Sequence, residues 1–246
     1  ITQLVELLTA EHTTMGAKKQ AALGLARLTH HGSETQILIA EEGAITPLVQ
    51  WLRDPAAGPS AVAAFALSEL ARDNHALQVR IAEAEAIPPL VAMLREEAPA
   101  DGYESACSAL ASLARLMPAN QEAIALADGI PSIVELLKKP LCEEEAANAL
   151  STLADNKENK MLIFKAGGIR PLVALLTGTN SNTQRHTAKA IESLARDTPE
   201  IQDVLAAERA SNPLVGLLSS ESIATQESAV RALLCLASPP ASRTVV

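Results

Sequence analysis

The chain has 246 residues, 48% of them hydrophobic but only 2% aromatic, so any core it buries is built from Leu, Ile, Val and Ala. Such a composition suits closely stacked helices and disfavours a sheet protein. Its formal net charge of −9 argues against general nucleic-acid binding, which depends on cationic neutralisation of phosphates.

Taken in chain order, one segment returns six times: Gln3-Leu4-Val5, Pro47-Leu48-Val49, Pro89-Leu90-Val91, Ser132-Ile133-Val134, Pro171-Leu172-Val173 and Pro213-Leu214-Val215. A helical pattern returning every 40 to 47 residues marks a solenoid of stacked repeats. The first repeat, about residues 1–32, enters at its second helix. The second, 33–72, is the clearest and predicts three helices. Ser33 is placed to cap a short first helix, and Gly43 to end it in a left-handed corner. Ile45 to Arg53 form the second helix, with Pro47 in the first turn, where a missing amide hydrogen is tolerated. Asp54-Pro55-Ala56-Ala57-Gly58-Pro59 breaks it, and a third helix runs from about Ser60 to Arg72. Repeats at 73–117, 118–155, 156–197 and 198–238 follow, with Asp73, Asn120, Asn156 and Thr198 near their starts and a short tail, 239–246, behind. At the corners Gly167 matches Gly43, Glu85 and Arg209 replace it, and Gly129 and Gly168 fall one place later, which points to a corner held by packing as well as by glycine.

The third helices align residue for residue. Leu25, Leu67, Leu110, Leu150, Ile191 and Leu233 form one core column, and Leu28, Leu70, Leu113, Leu153, Leu194 and Leu236 another. Between and beyond them stand small residues: Gly24, Ala66, Ala109, Ala149, Ala190 and Ala232, then Thr29, Ala71, Ala114, Ala154, Ala195 and Ala237. Small side chains at fixed places let neighbouring helices approach closely.

The segments Ala44 to Leu52 and Ala63 to Ala71 carry a family likeness: the chain resembles the armadillo repeat over essentially its whole length. HEAT repeats, the near alternative, normally have two helices per repeat, without the separate short first helix and corner. The resemblance implies an all-α, right-handed α-solenoid of about six armadillo repeats, a single repeat domain over 1–246, whose third helices line a concave groove where partners lie extended. Family members that carry nuclear import cargo show a Trp and Asn ladder along that groove, and the corresponding positions here lack it. The likeness is therefore to the general armadillo solenoid. Catenin-like members present a basic groove to acidic partners, and Arg27, Arg72, Arg115, Lys189, Arg196 and Arg231 give this chain a weaker version.

On each third helix the spacing i, i+3, i+7, i+10 keeps residues on one stripe. The stripes read Gln20, Leu23, Arg27, His30; Val62, Phe65, Glu69, Arg72; Ser105, Ser108, Ser112, Arg115; Glu145, Asn148, Thr152, Asp155; His186, Lys189, Ser193, Arg196; and Ser228, Arg231, Cys235, Ser238. Such a polar ladder suits an extended peptide, whose backbone groups are otherwise unpaired. The expected binding residues are Arg27, Phe65, Glu69, Arg72, Ser108, Ser112, Arg115, Asn148, Thr152, Lys189, Ser193, Arg196 and Arg231. Arg72, Arg115 and Arg196 also stand in the last turn of a helix, where a cation favours the dipole and free carbonyls.

Neither metal, cofactor nor catalysis is indicated. Glu143-Glu144-Glu145 opens a helix where carboxylates favour the dipole, His12, His30, His31 and His75 have no ligand spacing, and Gly167-Gly168 lacks the Lys-Ser/Thr of a phosphate loop. Trp51 stands at a packing position. Cys107, Cys142 and Cys235 lie in no Cys-x-x-Cys pair, so the expected setting is reducing, cytoplasmic or nuclear. No apolar run approaches the ~18 to 20 residues that span a bilayer, and membrane insertion is not expected. The function read from the sequence is a non-enzymatic interaction scaffold or adaptor, with an extended peptide or partner helix in the groove. The alternative is the substrate-recognition segment of a larger ubiquitin ligase or transport protein. Leu4, Val5, Leu7 and Leu8 at one end, and Leu233 and Leu236 before Pro239-Pro240 at the other, read as uncovered apolar ends of a longer array or as surfaces for self-association.

Overall fold

The computed structural model describes residues 1–10, 12–54, 59–95 and 100–237; the interruption at 55–58, Ser238 of the last stripe and Pro239-Pro240 lie outside them. The described residues form seventeen α-helices and no strand. Two compact units divide at Gly129 and Ile130.

In the first unit, helices α1 (Thr2–Thr9) and α2 (Met15–Leu28) make the opening repeat. Two three-helix repeats follow: α3 (Ser33–Glu41), α4 (Ile45–Arg53), α5 (Ser60–Ala71), then α6 (His75–Glu83), α7 (Ile87–Met93), α8 (Ala100–Ala114). Helix α9 (Pro118–Leu126) closes the unit. The second unit holds α10 (Gly129–Leu136) and α11 (Glu143–Leu153), then α12 (Lys157–Lys165), α13 (Ile169–Leu175), α14 (Ser181–Ala195), and finally α15 (Pro199–Ala207), α16 (Ser211–Gly216), α17 (Ile223–Ala237).

Within each unit the third helices pack on one another, α2 on α5 and α5 on α8 in the first, α11 on α14 and α14 on α17 in the second. Leu67, Leu70, Leu110, Leu113, Leu150, Leu153, Ile191 and Leu194 are buried, as are the alanines between them. Trp51 is buried too, in the packing role its position suggested.

The corners all share one backbone. Gly43, Glu85, Asp128, Gly167 and Arg209 each take positive φ, between 56° and 91°, although three of them pay the steric penalty of a side chain there. What holds them is a pair of hydrogen bonds back into the first helix. The amide after the corner donates to a carbonyl five residues earlier (Ala44 to Ile39, Ala86 to Ile81, Gly168 to Ile163, Ala210 to Leu205), at 3.0–3.3 Å, closing a Schellman turn. The residue after the corner must then be small. A Cβ at Gly168 would stand 2.9 Å from Cγ2 of Ile163, and one at Gly129 3.0 Å from Cγ2 of Ile124. Gly129 and Gly168 thus serve close approach, while the turn itself is made one residue earlier.

Caps differ in detail from expectation. Ser33 is the first helical residue, and Gly32 precedes it as the cap. Asp73 takes positive φ, leaving Asn74 to accept from the Leu77 amide at 3.2 Å. Asn156 caps α12 as its residue type suggests, accepting from the amides of Glu158 and Asn159.

The ends are asymmetric. Val5 and Leu8 are buried against α2 and only Leu7 is well exposed, which corrects the expectation of an open apolar start. At the other end Leu233 and Leu236 are half-buried, and the open surface is instead Val215, Leu218, Ile223, Val230 and Leu234. Val230 is 44% exposed, where its counterparts Ala22, Ala64, Ala147 and Ala188 are fully buried. Among the described residues no helix is long and apolar enough to cross a membrane.

Two stability measurements follow. Leu67→Ala empties a fully buried site between helices and should cost ~2–5 kcal/mol by urea denaturation, whereas Leu233→Ala, half-exposed, should cost clearly less. Arg209→Gly removes the Cβ penalty at a left-handed corner and should raise the urea midpoint, by about 1 kcal/mol in stability.

Candidate peptide-binding stripe

Close packing of the third helices decides which stripe residues reach the surface. In α5, α8, α11 and α14 the third stripe position is closed: Glu69, Ser112, Thr152 and Ser193 are all buried. The small residues that draw adjacent helices together turn that position into the seam between them. Ser112 lies 3.2 Å from the Ser68 hydroxyl of α5, Ser193 donates to Asp155 Oδ1 at 3.0 Å, and Thr152 returns its hydroxyl proton to the Ala149 carbonyl at 2.8 Å. Glu69 pairs with Arg72 one turn on and faces His30 at 3.6 Å. Ser112, Ser193 and Glu69 reach a neighbouring helix or its end while Thr152 bonds within its own, and because all four are buried the expectation that they line a binding surface is corrected.

What stays open is the first, second and fourth positions. In the first unit these are Leu23 on α2, Val62 and Phe65 on α5, and Ser105 and Ser108 on α8, and on α2 the third position, Arg27, is exposed as well. Phe65 is 37% exposed. In the second unit they are Asn148 on α11, His186 and Lys189 on α14, and Ser228 and Arg231 on α17.

The arginines at the helix ends are committed to carboxylates. Arg72 is held by Glu69, Arg196 by Glu192 at 2.5 Å, and Arg115 lies 3.8 Å from Asp73. Arg231 sits more loosely, 3.7 Å from Glu227. Burial lowers the pKa of the Arg196 guanidinium, but the charge and hydrogen bond of Glu192 outweigh it and raise the pKa above the usual arginine value. Neither sequence reading of these arginines holds unaltered: they do not stand free for an acidic partner, and they do not cap carbonyls.

The carbonyls are capped by a column that sequence reasoning missed. Gln36, Gln78, Gln121, Lys160 and Gln202 occupy the fourth position of successive first helices, and all but Gln202 are buried. Gln36 Nε2 donates to the carbonyls of Glu69 and Arg72, both at 3.1 Å, and its amide oxygen accepts from Asn74. Gln78 donates to Ser112 O at 2.8 Å and Gln121 to Ala114 O at 2.9 Å. Gln202 reaches two third helices at once, Ala195 O of α14 at 2.9 Å and Cys235 O of α17 at 3.2 Å. Helix-end carbonyls have no partner within their own helix, and this column supplies one to α5, α8, α14 and α17. Its signal was present in the sequence, since these residues recur at the same period as the leucines. Polar residues in a short helix read as solvent-facing until the packed neighbours are known.

Lys160 breaks the column with a charge. Its Nζ donates to Arg196 O at 2.6 Å, a carbonyl that also accepts from the Thr198 hydroxyl at 3.1 Å. Burial, and secondarily the like charge of Arg196, push the ammonium below the usual lysine value; Asp197 and Asp155 oppose this only in part. Around it opens a cleft of about 410 Å³ lined by Ala154, Asp155, Lys157, Ser193, Arg196 and Thr198 among others.

Gln36→Ala would leave two helix-end carbonyls, the buried one of Glu69 and the part-buried one of Arg72, without this donor. A loss of about 1–3 kcal/mol is expected, with faster amide hydrogen exchange confined to the last turn of α5.

Comparison with known proteins bears on this geometry. The model of the armadillo/beta-catenin-like repeat matches residues 156–196, the repeat that contains Lys160. No curated protein matches the chain. Among solved structures, an engineered protein is 29% identical over 96% of this chain and 95% of its own, with a TM-score of 0.86. A second engineered protein is 28% identical over 97% and 98%, with a TM-score of 0.87. A designed armadillo repeat protein in complex with the peptide (KR)4 is 25% identical over 96% and 98%, with a TM-score of 0.81. With one repeat matched at 156–196, the same three-helix pattern before and after it, and designed armadillo proteins similar along nearly the whole length, this chain has the armadillo repeat fold and resembles that family.

Proposed function

We propose that the chain is a non-enzymatic interaction scaffold that takes an extended peptide along the open positions of its third helices. The observation that carries this reading is the division within each stripe: the third position is sealed into the helix seams, while Phe65, Ser108, Asn148, Lys189 and Arg231 remain accessible at regular intervals. Open amide, hydroxyl and charged groups at that spacing match the unpaired backbone groups of an extended chain, and Phe65 offers an apolar contact. A likeness to a designed armadillo protein bound to a peptide supports the same mode. The polarity of the ligand differs in this reading, because Arg27, Lys189 and Arg231 place cations on the open positions and disfavour a run of Lys and Arg. Three cysteines without a disulfide, two of them buried, agree with a reducing cytoplasmic or nuclear setting. Self-association belongs to the same proposal, through the open face of α16 and α17, and light scattering over a concentration series measures it: growth in mass with concentration is expected, and a constant monomer mass overturns it.

Peptide selection from a displayed random library tests the binding mode. The wild-type chain should enrich peptides that the combined Phe65→Ala, Asn148→Ala, Lys189→Ala, Arg231→Ala variant binds at least about tenfold more weakly, with an unchanged helical spectrum. Binding of the enriched peptides should weaken with added salt, as exposed charges are screened. Equal binding by the folded variant would remove the stripe from the function.

A further inference from the structure

A hollow of about 500 Å³ opens in the first unit between α7 and α9, lined by Pro88, Val91, Ala92, Ala123, Leu126 and Ala127. One small residue sets it apart. At the place of Ala123, the sixth residue of its first helix, the other first helices carry Leu38, Arg80, Leu162 and Val204, and Arg80 is long enough to reach the Ala40 carbonyl of α3 at 3.0 Å. Leu126 stands on the rim, 80% exposed. The Arg95 guanidinium beside it is taken up by the carbonyls of Ala127 and Asp128, both at 2.9 Å, and by the Asp128 carboxylate at 3.1 Å. An extended chain laid on so apolar a lining would leave its backbone groups unpaired, whereas a helix pairs its own.

The surroundings are acidic. Residues 1–129 hold eight Lys and Arg against sixteen Asp and Glu, while 130–246 hold twelve against thirteen. Leu126 is the ninth residue of its first helix, and the ninth residues of the two before it are Glu83 and Glu41. These first helices are neighbours in order: Arg80 joins α6 to α3, and Asn120 of α9 donates to the Gln78 carbonyl of α6 at 3.4 Å. Glu122, four residues before Leu126, lies on the same face of α9. Glu41, Glu83 and Glu122 are exposed, and among the described residues none of them has an ion pair.

We propose that this edge of the first unit docks a basic, amphipathic helix of a partner protein, with apolar side chains in the hollow against Leu126 and Lys or Arg facing Glu83 and Glu41. The surface belongs to first and second helices and leaves the third-helix stripe free, so it is independent of the peptide-binding reading. Charge complementarity sets the sign of the partner, and a net charge of −9 disfavours a second copy of this chain as the occupant. Spacing sets its form. Packed helices lie roughly 8–10 Å apart, so Leu126, Glu83 and Glu41 follow one another at about that interval. Seven residues of helix rise about 10 Å, and a helix with an apolar residue over the hollow and cations seven and fourteen residues away on the same face fits the row. Further apolar residues three and four positions from the first share the hollow, as anchors of a groove-bound helix do.

A display library built on a stable helical scaffold with one face randomised is the test. Clones are selected on the wild-type chain and depleted on Ala123→Leu, which closes the hollow with the residue that α3 and α12 carry at this place and whose helical spectrum is checked alongside. The surviving clones should combine an apolar cluster with Lys or Arg at seven-residue steps, bind Ala123→Leu at least about tenfold more weakly, and shift the methyl resonances of Val91, Ala123 and Leu126 in NMR. The double variant Glu41→Lys, Glu83→Lys should weaken the same clones and reduce the salt dependence of their binding; altered only at exposed residues, it serves for the depletion if Ala123→Leu loses its helical spectrum. The combined Phe65→Ala, Asn148→Ala, Lys189→Ala, Arg231→Ala variant should bind them as the wild type does, which separates this surface from the stripe. The proposal is overturned if no clone prefers the wild-type chain, if the preferred clones carry no excess of Lys and Arg, or if the double variant binds them undiminished. Methyl shifts at Val91 and Leu126 on raising the protein concentration alone would give the face to a second copy, and overturn it too.

Discussion

The close approach of successive third helices is the constraint from which the other features follow. It is made possible by alanine at the columns between and beyond the core leucines, which lets α5 pack on α8 and α14 on α17 with those leucines sealed between them. At the ends of α5, α8, α14 and α17 the last carbonyls find donors within the protein. The first helices provide them, through Gln36, Gln78, Gln121, Lys160 and Gln202. The same packing forces a tight corner between first and second helices, which explains why Glu85, Asp128 and Arg209 tolerate a left-handed backbone and why Gly129 and Gly168 follow two of the corners.

Close packing also sets the electrostatics of the surface. An arginine at the end of a third helix stands one turn from a carboxylate on the same helix, or beside one that follows the preceding third helix, and takes it as partner: Arg72 with Glu69, Arg196 with Glu192, Arg115 with Asp73. Exposed pairs of this kind contribute little to stability, but they lower the charge on offer to a ligand. Arg27, Lys189 and Arg231 are the cations at the accessible stripe positions, while Lys160 stands buried in the column that carries glutamine in the other repeats.

The repeat was legible in the sequence because packing in a stacked array imposes the same side chains at the same places: the leucine and alanine columns, the three helices and the corner positions all follow from a local period. Residues Trp51, Asn156 and Gly167 took the roles their types suggested, since capping, turning and core packing are decided within a few residues of chain. Which stripe residues are open was not legible, because it depends on the distance between helices about 40 residues apart in sequence, and that distance closed over Glu69, Ser112, Thr152 and Ser193. The acceptors of the glutamine column and the partners of the arginines were hidden for the same reason. Periodicity states that a residue lies on a face, whereas only the assembled neighbours decide whether that face meets water, a carbonyl or a charge, and so the sequence alone determined the architecture while the tertiary structure decided the chemistry of its surface.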